Sequence, residues 1–129
     1  MPKIILSNGV EFECLDNQSI LDAARNNKIA IEHSCRTGRC GICVASVLKG
    51  ESRVLKQEEP LSEIDSKEGN ILTCCRSPLT DLYLNIEDLG EIGGVVAQTL
   101  PCRIDSLEFL NDEVLRLILR LPPNGSFGF

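Results

Sequence analysis

Residues 33–43 read HSCRTGRCGIC and place three cysteines within nine positions. Thiolate sulfur is a soft ligand that suits zinc, copper and iron–sulfur clusters, so three neighbouring thiols indicate a metal or cluster site. Gly38 and Gly41 lie between the cysteines. Glycine has no Cβ, so the backbone can turn sharply there and approach a bound group closely. We therefore expect a tight loop that wraps around a compact, anionic centre.

The spacing of Cys35, Cys40 and Cys43 is C-x4-C-x2-C, which predicts a 2Fe–2S cluster completed by one distant cysteine. Four other cysteines could supply that fourth ligand, namely Cys14, Cys74, Cys75 and Cys102. Residues 70–75 (NILTCC) have the composition of a strand, in which neighbouring side chains point to opposite faces. Only one of Cys74 and Cys75 could then face the cluster, and the sequence pattern does not choose between them.

Arginines flank the predicted ligands. Arg36 and Arg39 lie inside the cysteine loop, and Arg76 follows the second group of cysteines. An oxidised 2Fe–2S cluster with four thiolates carries a formal charge of about −2, which reduction makes more negative. We expect these arginines to soften that charge and the loop backbone to donate hydrogen bonds to sulfur.

Composition excludes several classes of function. The chain has 129 residues and a net charge of −6, which argues against binding nucleic acid or an anionic membrane surface. No apolar run is long enough to span a bilayer. The opening MPKIILSNGV enters a strand-like pattern and lacks the layout of a secretory signal, so we expect a cytoplasmic location. Seven cysteines in such a chain are expected to bind metal or stay reduced.

The order of predicted elements indicates an α+β fold with one mixed sheet. Asn8-Gly9 between apolar runs predicts a hairpin of strands 3–6 and 10–15, because both residues accept positive φ. Ser19 and Asp22 form a capping-box pattern that predicts a helix over 19–26. Further elements are expected as strands at 44–50, 70–75 and 81–88, a helical turn at 60–65, and two strands within 102–110 and 113–122.

SCRTGRCGIC, followed some thirty residues later by ILTC, resembles the plant-type ferredoxin family with its β-grasp fold. The resemblance covers roughly residues 1–90. In that family the fourth ligand is the cysteine directly after Leu-Thr, which implies Cys74 and leaves Cys75 as a thiol of the core or sheet. The resemblance therefore implies a one-electron carrier whose 2Fe–2S cluster is bound by Cys35, Cys40, Cys43 and Cys74, with no catalytic residue.

The later segments ILTCC, PCRIDSLEFL and LRLILRLPP resemble reductases in which a ferredoxin domain precedes a flavin-binding barrel and a nicotinamide-binding domain. The resemblance implies a ferredoxin domain at 1–90, a linker at 91–100, and a truncated start of an antiparallel FAD-binding β-barrel at 101–129. FAD and NAD(P)H are expected only in a full-length parent, an NAD(P)H-dependent oxidoreductase. The electron donor would be its flavin domain, and the acceptor an iron–sulfur or oxygenase protein. Deoxysugar synthesis is the implied pathway, with an oxygenase reductase component as the alternative.

Simpler interpretations stand beside these. The cysteine loop could bind structural zinc, although zinc sites usually combine two short Cys or Cys/His pairs and this loop has one Cys-x-x-Cys. Cys14 alternates with apolar residues and is expected to be a core thiol, and we expect no ligand role for Cys102 or for the single histidine, His33. An acidic run is expected to be a solvated face; its members are Glu58, Glu59, Glu63, Asp65 and Glu68.

Overall fold

In the computed structural model, which describes residues 1–90 and 99–123, the first two strands form the predicted hairpin. Strand β1 spans Lys3–Leu6 and β2 spans Glu11–Glu13. Gly9 has a φ of +83°, whereas Asn8 is not among the residues with positive φ. The Asn8 side chain instead accepts a hydrogen bond through Oδ1 from the Val10 N–H, at 3.3 Å. The turn therefore needs one left-handed residue, not two, and glycine supplies it.

Helix α1 spans Ile20–Asn26 and begins as its sequence predicts. Ser19 is the N-cap, and its hydroxyl accepts the Asp22 N–H at 3.1 Å. The apolar face of the helix is buried, because Ile20, Leu21, Ala23 and Ala24 belong to the core. The helix thereby closes one face of the sheet just before the cysteine loop.

The main sheet has five strands in the order β2-β1-β7-β3-β5. Strand β3 spans Val44–Lys49, β5 spans Asn70–Leu72 and β7 spans Leu82–Leu84. β1 and β7 pair in parallel, and the other pairs are antiparallel. The predicted mixed sheet is confirmed, and the parallel pair lies at its centre, where Ile4, Leu82 and Leu84 are fully buried.

Several element boundaries differ from the sequence-based predictions. The helical turn expected at 60–65 is α2, Glu63–Lys67, because Ser62 and Asp65 form a complete capping box that sets its start. A small two-stranded sheet was not predicted; it pairs β4, Ser52–Val54, with β6, Arg76–Pro78. Each strand has only three residues, which is too short for a period to be recognised.

Residues 103–120 form an antiparallel hairpin of β8, Arg103–Phe109, and β9, Leu115–Arg120. The two predicted strands are confirmed. The register shifts between Ile104 and Ser106, so Asp105 is an extra residue in β8. Such a bulge explains why the apolar residues Ile104 and Leu107 are three positions apart in a strand.

The chain divides into two units, Met1–Gly94 and Val95–Phe129. Most of the predicted linker, residues 91–98, and the final residues 124–129 lie outside the described residues. Within the described part, no helix has both the length and the apolar character that crossing a membrane requires.

Candidate metal centre

The cysteine loop connects α1 to β3 and turns through left-handed backbone at closely spaced positions. Gly38 and Gly41 have φ angles of +85° and +75°, which confirms that the loop turns sharply where glycine permits positive φ. Arg36 also has a positive φ, +58°, at a cost of about 1–2 kcal/mol for a residue with a Cβ. The bends bring loop N–H groups toward the cysteine sulfurs.

Sulfur atoms in the loop accept hydrogen bonds from the loop backbone, as predicted. The N–H groups of Thr37 and Cys40 donate to Cys35 Sγ, each at 3.4 Å, and Ile42 N–H donates to Cys40 Sγ at 3.5 Å. The Thr37 side chain and then the backbone N–H groups lower the pKa of Cys35 to about 5. Because the thiolate is the form that binds metal, the loop is already arranged for a ligand at Cys35.

Cys43 and Cys74 form a buried pair whose sulfurs are 3.3 Å apart. Thr73 holds the two segments together, since its N–H donates to the Cys43 carbonyl at 3.0 Å and its hydroxyl to the same oxygen at 3.2 Å. Tetrahedral metal–thiolate bonds of about 2.3 Å would separate two sulfurs by about 3.8 Å. A small opening of this pair would therefore admit one iron between the two sulfurs.

Burial raises the pKa of Cys43 to about 11 and also raises the pKa of Cys74. Both groups are therefore protonated at neutral pH, and a cation that bound there would have to displace the protons. The backbone N–H of Gly38 acts in the opposite direction on Cys74, by donating toward its sulfur. Gly38 thus links the loop to the segment that carries Cys74.

The strand predicted over 70–75 is wrong beyond Leu72. Residues 73–75 form a turn closed by the Cys75 N–H, which donates to the Leu72 carbonyl at 2.9 Å. The sulfurs of Cys74 and Cys75 are consequently 3.5 Å apart instead of on opposite faces. Strand alternation does not apply to a turn, so the argument that only one of them can face the site does not hold.

Cys75 differs from Cys74 in its surroundings. Its Sγ is 3.6 Å from the Gln57 carbonyl, to which the thiol donates. It also lies against Gly38, where an added Cβ would come within 2.6 Å of this sulfur and 2.5 Å of the Gln57 oxygen. Cys75 is fully buried as a protonated thiol, and burial raises its pKa.

The donor arrangement contains one close pair of sulfurs from the predicted ligands, Cys43 and Cys74. Among residues 1–90 and 99–123, no three His, Cys, Asp or Glu side chains are grouped so as to hold one metal ion. Structural zinc takes four ligands at one point. A 2Fe–2S cluster divides four thiolates between two irons, so each iron needs only a pair such as Cys43 and Cys74.

The remaining sulfur and imidazole groups have other surroundings. Cys14 is fully buried in the core with its Sγ 3.4 Å from the Gln18 carbonyl, so the prediction of a core thiol is confirmed. Burial raises the pKa of Cys14 to about 11. Cys102 is exposed in the second unit. His33 is exposed as well, with Nδ1 2.9 Å from the Ile31 carbonyl.

Two of the predicted charge arrangements need correction. Arg76 was expected to soften the cluster charge, but its Nε and Nη2 bind both carboxylate oxygens of Glu58 at 2.8 and 3.0 Å. Glu58 was expected on a solvated face, but its side chain is only 8% exposed. In the loop, Arg36 is exposed and Arg39 lies 3.7 Å from Glu59 at the surface. The sequence offered no signal for the Glu58–Arg76 pair, because its partners are 18 positions apart without a shared element.

The profile of the 2Fe-2S iron-sulfur cluster binding domain matches residues 4–79. The chain belongs to this family. The matched residues include the cysteine loop, the Cys43–Cys74 pair and the strands of the main sheet from Ile4 to the end of β5, and they end before β7. The predicted β-grasp ferredoxin fold and its 2Fe–2S cofactor are thereby confirmed.

Two curated relatives align along nearly the whole ferredoxin chain. The CDP-6-deoxy-L-threo-D-glycero-4-hexulose-3-dehydrase reductase of Yersinia pestis is 36% identical over 95% of this chain and 37% of its own length. Protein RfbI of Salmonella typhimurium is 39% identical over 98% of this chain and 37% of its own length. The chain thus spans less than half of the length of either relative.

Among solved structures, phthalate dioxygenase reductase is similar over 67% of this chain and 26% of its own length. The TM-score is 0.53 and the identity 26%. That protein is described as a modular structure for electron transfer from pyridine nucleotides to 2Fe–2S. The predicted resemblance to reductases with a ferredoxin domain is confirmed by these relatives.

Proposed function

We propose that Cys35, Cys40, Cys43 and Cys74 hold the cluster and that the domain transfers single electrons. The observation that carries this proposal is the buried Cys43–Cys74 sulfur pair, at 3.3 Å, beside a loop whose N–H groups stabilise a thiolate at Cys35. When bound, a 2Fe–2S cluster supplies one-electron oxidation and reduction. No residue of the chain is assigned a catalytic role.

The chain's own residues would perform three tasks for electron transfer. The loop N–H groups hold negative charge on sulfur, which tunes the potential. Buried Cys43 and Cys74 keep water from one side of the site. Cys40 is exposed and Cys35 half-buried, so the loop side of the site lies close to the surface, where an electron can enter and leave.

Metal and sulfide analysis tests this function directly. The purified chain, reconstituted with iron and sulfide under anaerobic conditions, should contain iron and sulfide in equal amounts. It should be red-brown, and dithionite should bleach its visible absorption. A colourless protein that retains zinc and takes up no sulfide would contradict the proposal and support the structural-zinc alternative.

We further propose the domain division predicted from the sequence: a ferredoxin domain at 1–90, a linker at 91–100, and the first strands of an FAD-binding barrel at 101–129. The β8–β9 hairpin supports the last part, since two antiparallel strands are what the start of such a barrel requires. Two strands offer no enclosed site, so residues 101–129 are expected to bind no FAD on their own. Titration of the chain with FAD, followed by fluorescence, tests this expectation.

For the parent protein, we propose an NAD(P)H-dependent flavin/iron–sulfur reductase of deoxysugar synthesis, similar to CDP-6-deoxy-3,4-glucoseen reductase. The identity of 36–39% to the Yersinia reductase and RfbI supports this assignment. A reductase component of an oxygenase is the second candidate, favoured by the structural likeness to phthalate dioxygenase reductase. The electron donor would be the parent's flavin domain, and the acceptor an iron–sulfur or oxygenase protein. Electron delivery from the reduced chain to a purified hexulose dehydrase, compared with delivery to an oxygenase, distinguishes the two.

A further inference from the structure

A short segment crosses both parts of the chain that carry the proposed cluster ligands. This crossing segment, residues 55–60, follows β4. The N–H groups of Leu55 and Lys56 donate to the Cys75 carbonyl at 2.7 and 3.3 Å. Glu59 N–H donates to the Gly38 carbonyl at 3.1 Å. The crossing segment is therefore hydrogen-bonded both to the turn at 73–75 and to the cysteine loop.

Glu58, in the middle of the crossing segment, makes three hydrogen bonds through its carboxylate. Oε1 accepts the Leu72 N–H at 3.0 Å and Arg76 Nε at 2.8 Å, and Oε2 accepts Arg76 Nη2 at 3.0 Å. Leu72 directly precedes the turn at 73–75 and Arg76 directly follows it. One carboxylate thus joins both ends of the turn that carries Cys74.

The Glu58–Arg76 pair is shielded from water, with side chains 8% and 18% exposed. A bidentate guanidinium–carboxylate pair is among the stronger polar contacts in proteins and fixes geometry. Removal of one partner from such a buried pair is strongly destabilising, because the other charge stays behind without compensation. Glu59, the next residue, is its counterpart at the surface, 52% exposed and 3.7 Å from Arg39.

We propose that Glu58 is a positioning residue of the cluster site: it fixes the Cys74 turn and cancels the charge of Arg76 beside it. This inference rests on the proposed function, since it assumes that Cys74 is a ligand. The crossing segment places the carboxylate, and the carboxylate sets both the shape and the net charge at this end of the site. The loop arginines have no such buried partner among the described residues, since Arg36 is exposed and Arg39 pairs with exposed Glu59.

The electrostatic part of the proposal predicts the direction of change in the midpoint potential. Reduction would add one negative charge to the cluster that Cys74 is proposed to help hold. In Glu58→Gln the Arg76 cation is uncompensated and favours the reduced state, so the midpoint potential rises. In Arg76→Gln the Glu58 anion is uncompensated and disfavours the reduced state, so the potential falls. The double variant removes both charges and should lie between the two.

The test measures two quantities at pH 8 in the reconstituted chain: the midpoint potential, and the rate of cluster loss to an iron chelator. Each single variant of the pair should lose its cluster on the order of tenfold faster than the unmodified chain. The double variant should recover part of this loss. Glu59→Gln is the matched control, because it removes the same charge at the adjacent position; its loss rate should stay within about twofold, since its ion pair is exposed.

The order of the three potentials decides the proposal, with Glu58→Gln highest, the double variant between, and Arg76→Gln lowest. Any other order overturns the electrostatic role. Loss rates for Glu58→Gln equal to those for Glu59→Gln overturn the positioning role. If a single variant assembles no cluster, assembly in the double variant supports the proposal and failure there overturns it. Absence of a cluster in the unmodified chain would instead contradict the proposed function.

Discussion

The two units of the chain have similar strand patterns but differ in what their strands bury. In the first unit, β7 alternates buried and exposed residues, and Leu82 and Leu84 have no exposed surface. In the second unit, every residue of β8 and β9 is exposed, including Phe109 at 74%. The two strands pair along their length nonetheless, with one bulge at Asp105. Backbone pairing and alternation thus suffice for a local ladder, whereas a core requires a second layer.

The hairpin strands bury no residue but carry two cross-strand ion pairs. Arg116 binds Glu108 across the ladder, and Arg120 lies 2.8 Å from Asp105. Exposed pairs of this kind contribute about 0–1 kcal/mol each, which is far less than the burial of a single leucine in a core. The first unit is therefore expected to carry nearly all of the free energy of unfolding of the described chain.

The largest expected effect is on the cluster spectrum, which a cysteine variant in the first unit should change and one in the second unit should not. Cys74→Ser should abolish or greatly weaken the cluster spectrum, because one iron loses a buried thiolate. Cys102→Ser, in the hairpin unit, should leave the visible and electron paramagnetic resonance spectra unchanged. Cys75→Ser should also keep the cluster, since this thiol donates to a carbonyl. Loss of the cluster in Cys75→Ser together with its retention in Cys74→Ser would move the ligand by one residue.

The next largest effect is on the free energy of unfolding, for the replacement of one strand leucine in each unit. Leu84→Ala removes a fully buried side chain from the central strand and should lower the free energy of unfolding by about 2–5 kcal/mol. Leu119→Ala, at a position 45% exposed, should change it by about 0.5 kcal/mol or less. Chemical denaturation followed by circular dichroism measures both. An equal loss in the two variants would mean that the hairpin face is buried in solution and that the two units do not differ in burial.

Two glycines of the first unit share a backbone conformation but differ in the space around them. Gly9 and Gly38 have φ angles of +83° and +85°, but an added Cβ meets nothing within 4 Å at Gly9 and two atoms within 2.6 Å at Gly38. Gly9→Ala should cost about 1–2 kcal/mol for backbone strain alone. Gly38→Ala should cost roughly 2–5 kcal/mol, because steric overlap adds to the strain, and should make the cluster labile.

Thermal unfolding and chelator challenge of both alanine variants provide the measurement. Similar stability of the two variants would show that Gly38 serves only its φ angle. Gly41→Val should lose the cluster or leave it labile, because Gly41 also has a positive φ and an added Cβ would lie 3.2 Å from Pro60. Normal cluster assembly in that variant would contradict the view that the loop must approach its neighbours closely.

The smallest expected effect concerns Cys35 in the cysteine loop, where the loop backbone changes the acidity of a half-buried thiol. In the cluster-free chain, the pKa of Cys35 near 5 means that its thiolate persists well below neutral pH. Alkylation of Cys35 by iodoacetamide should therefore be nearly constant from pH 8 to 6.5 and fall by half near pH 5, with Cys35→Ser identifying the labelled site. A midpoint near that of an ordinary thiol, about 8.5, would contradict the role of the loop N–H donors.

The sign of the accompanying stability change follows from the lowered pKa. The folded loop favours the Cys35 thiolate more than the unfolded chain does. This contribution to stability is present above the ordinary thiol pKa and is lost as the pH falls through the folded value near 5. Cys35 is only half-buried, so solvent screening should keep the effect on the whole fold small.

Much of the fold and site could be predicted because the signals are local. The N-terminal hairpin, the Ser19-capped helix, the sharp loop with its glycines and the β8–β9 pair all arise between residues a few positions apart. The cysteine spacing likewise places three thiols on one loop whatever the rest of the chain does. The assignment of Cys74 as the fourth ligand came from a family resemblance and stays a prediction.

Only the tertiary structure decided the surroundings of that fourth ligand. The Thr73–Cys75 turn replaced a predicted strand because β4 and the crossing segment bind its ends, and those partners are distant in sequence. The sequence pattern predicts a surface position for Glu58, but these contacts make it a buried partner of Arg76. The parallel pairing of β1 with β7 likewise joins Ile4 to Leu82. Local backbone preferences therefore determined the elements, and long-range hydrogen bonding and burial decided which side chains they bring together.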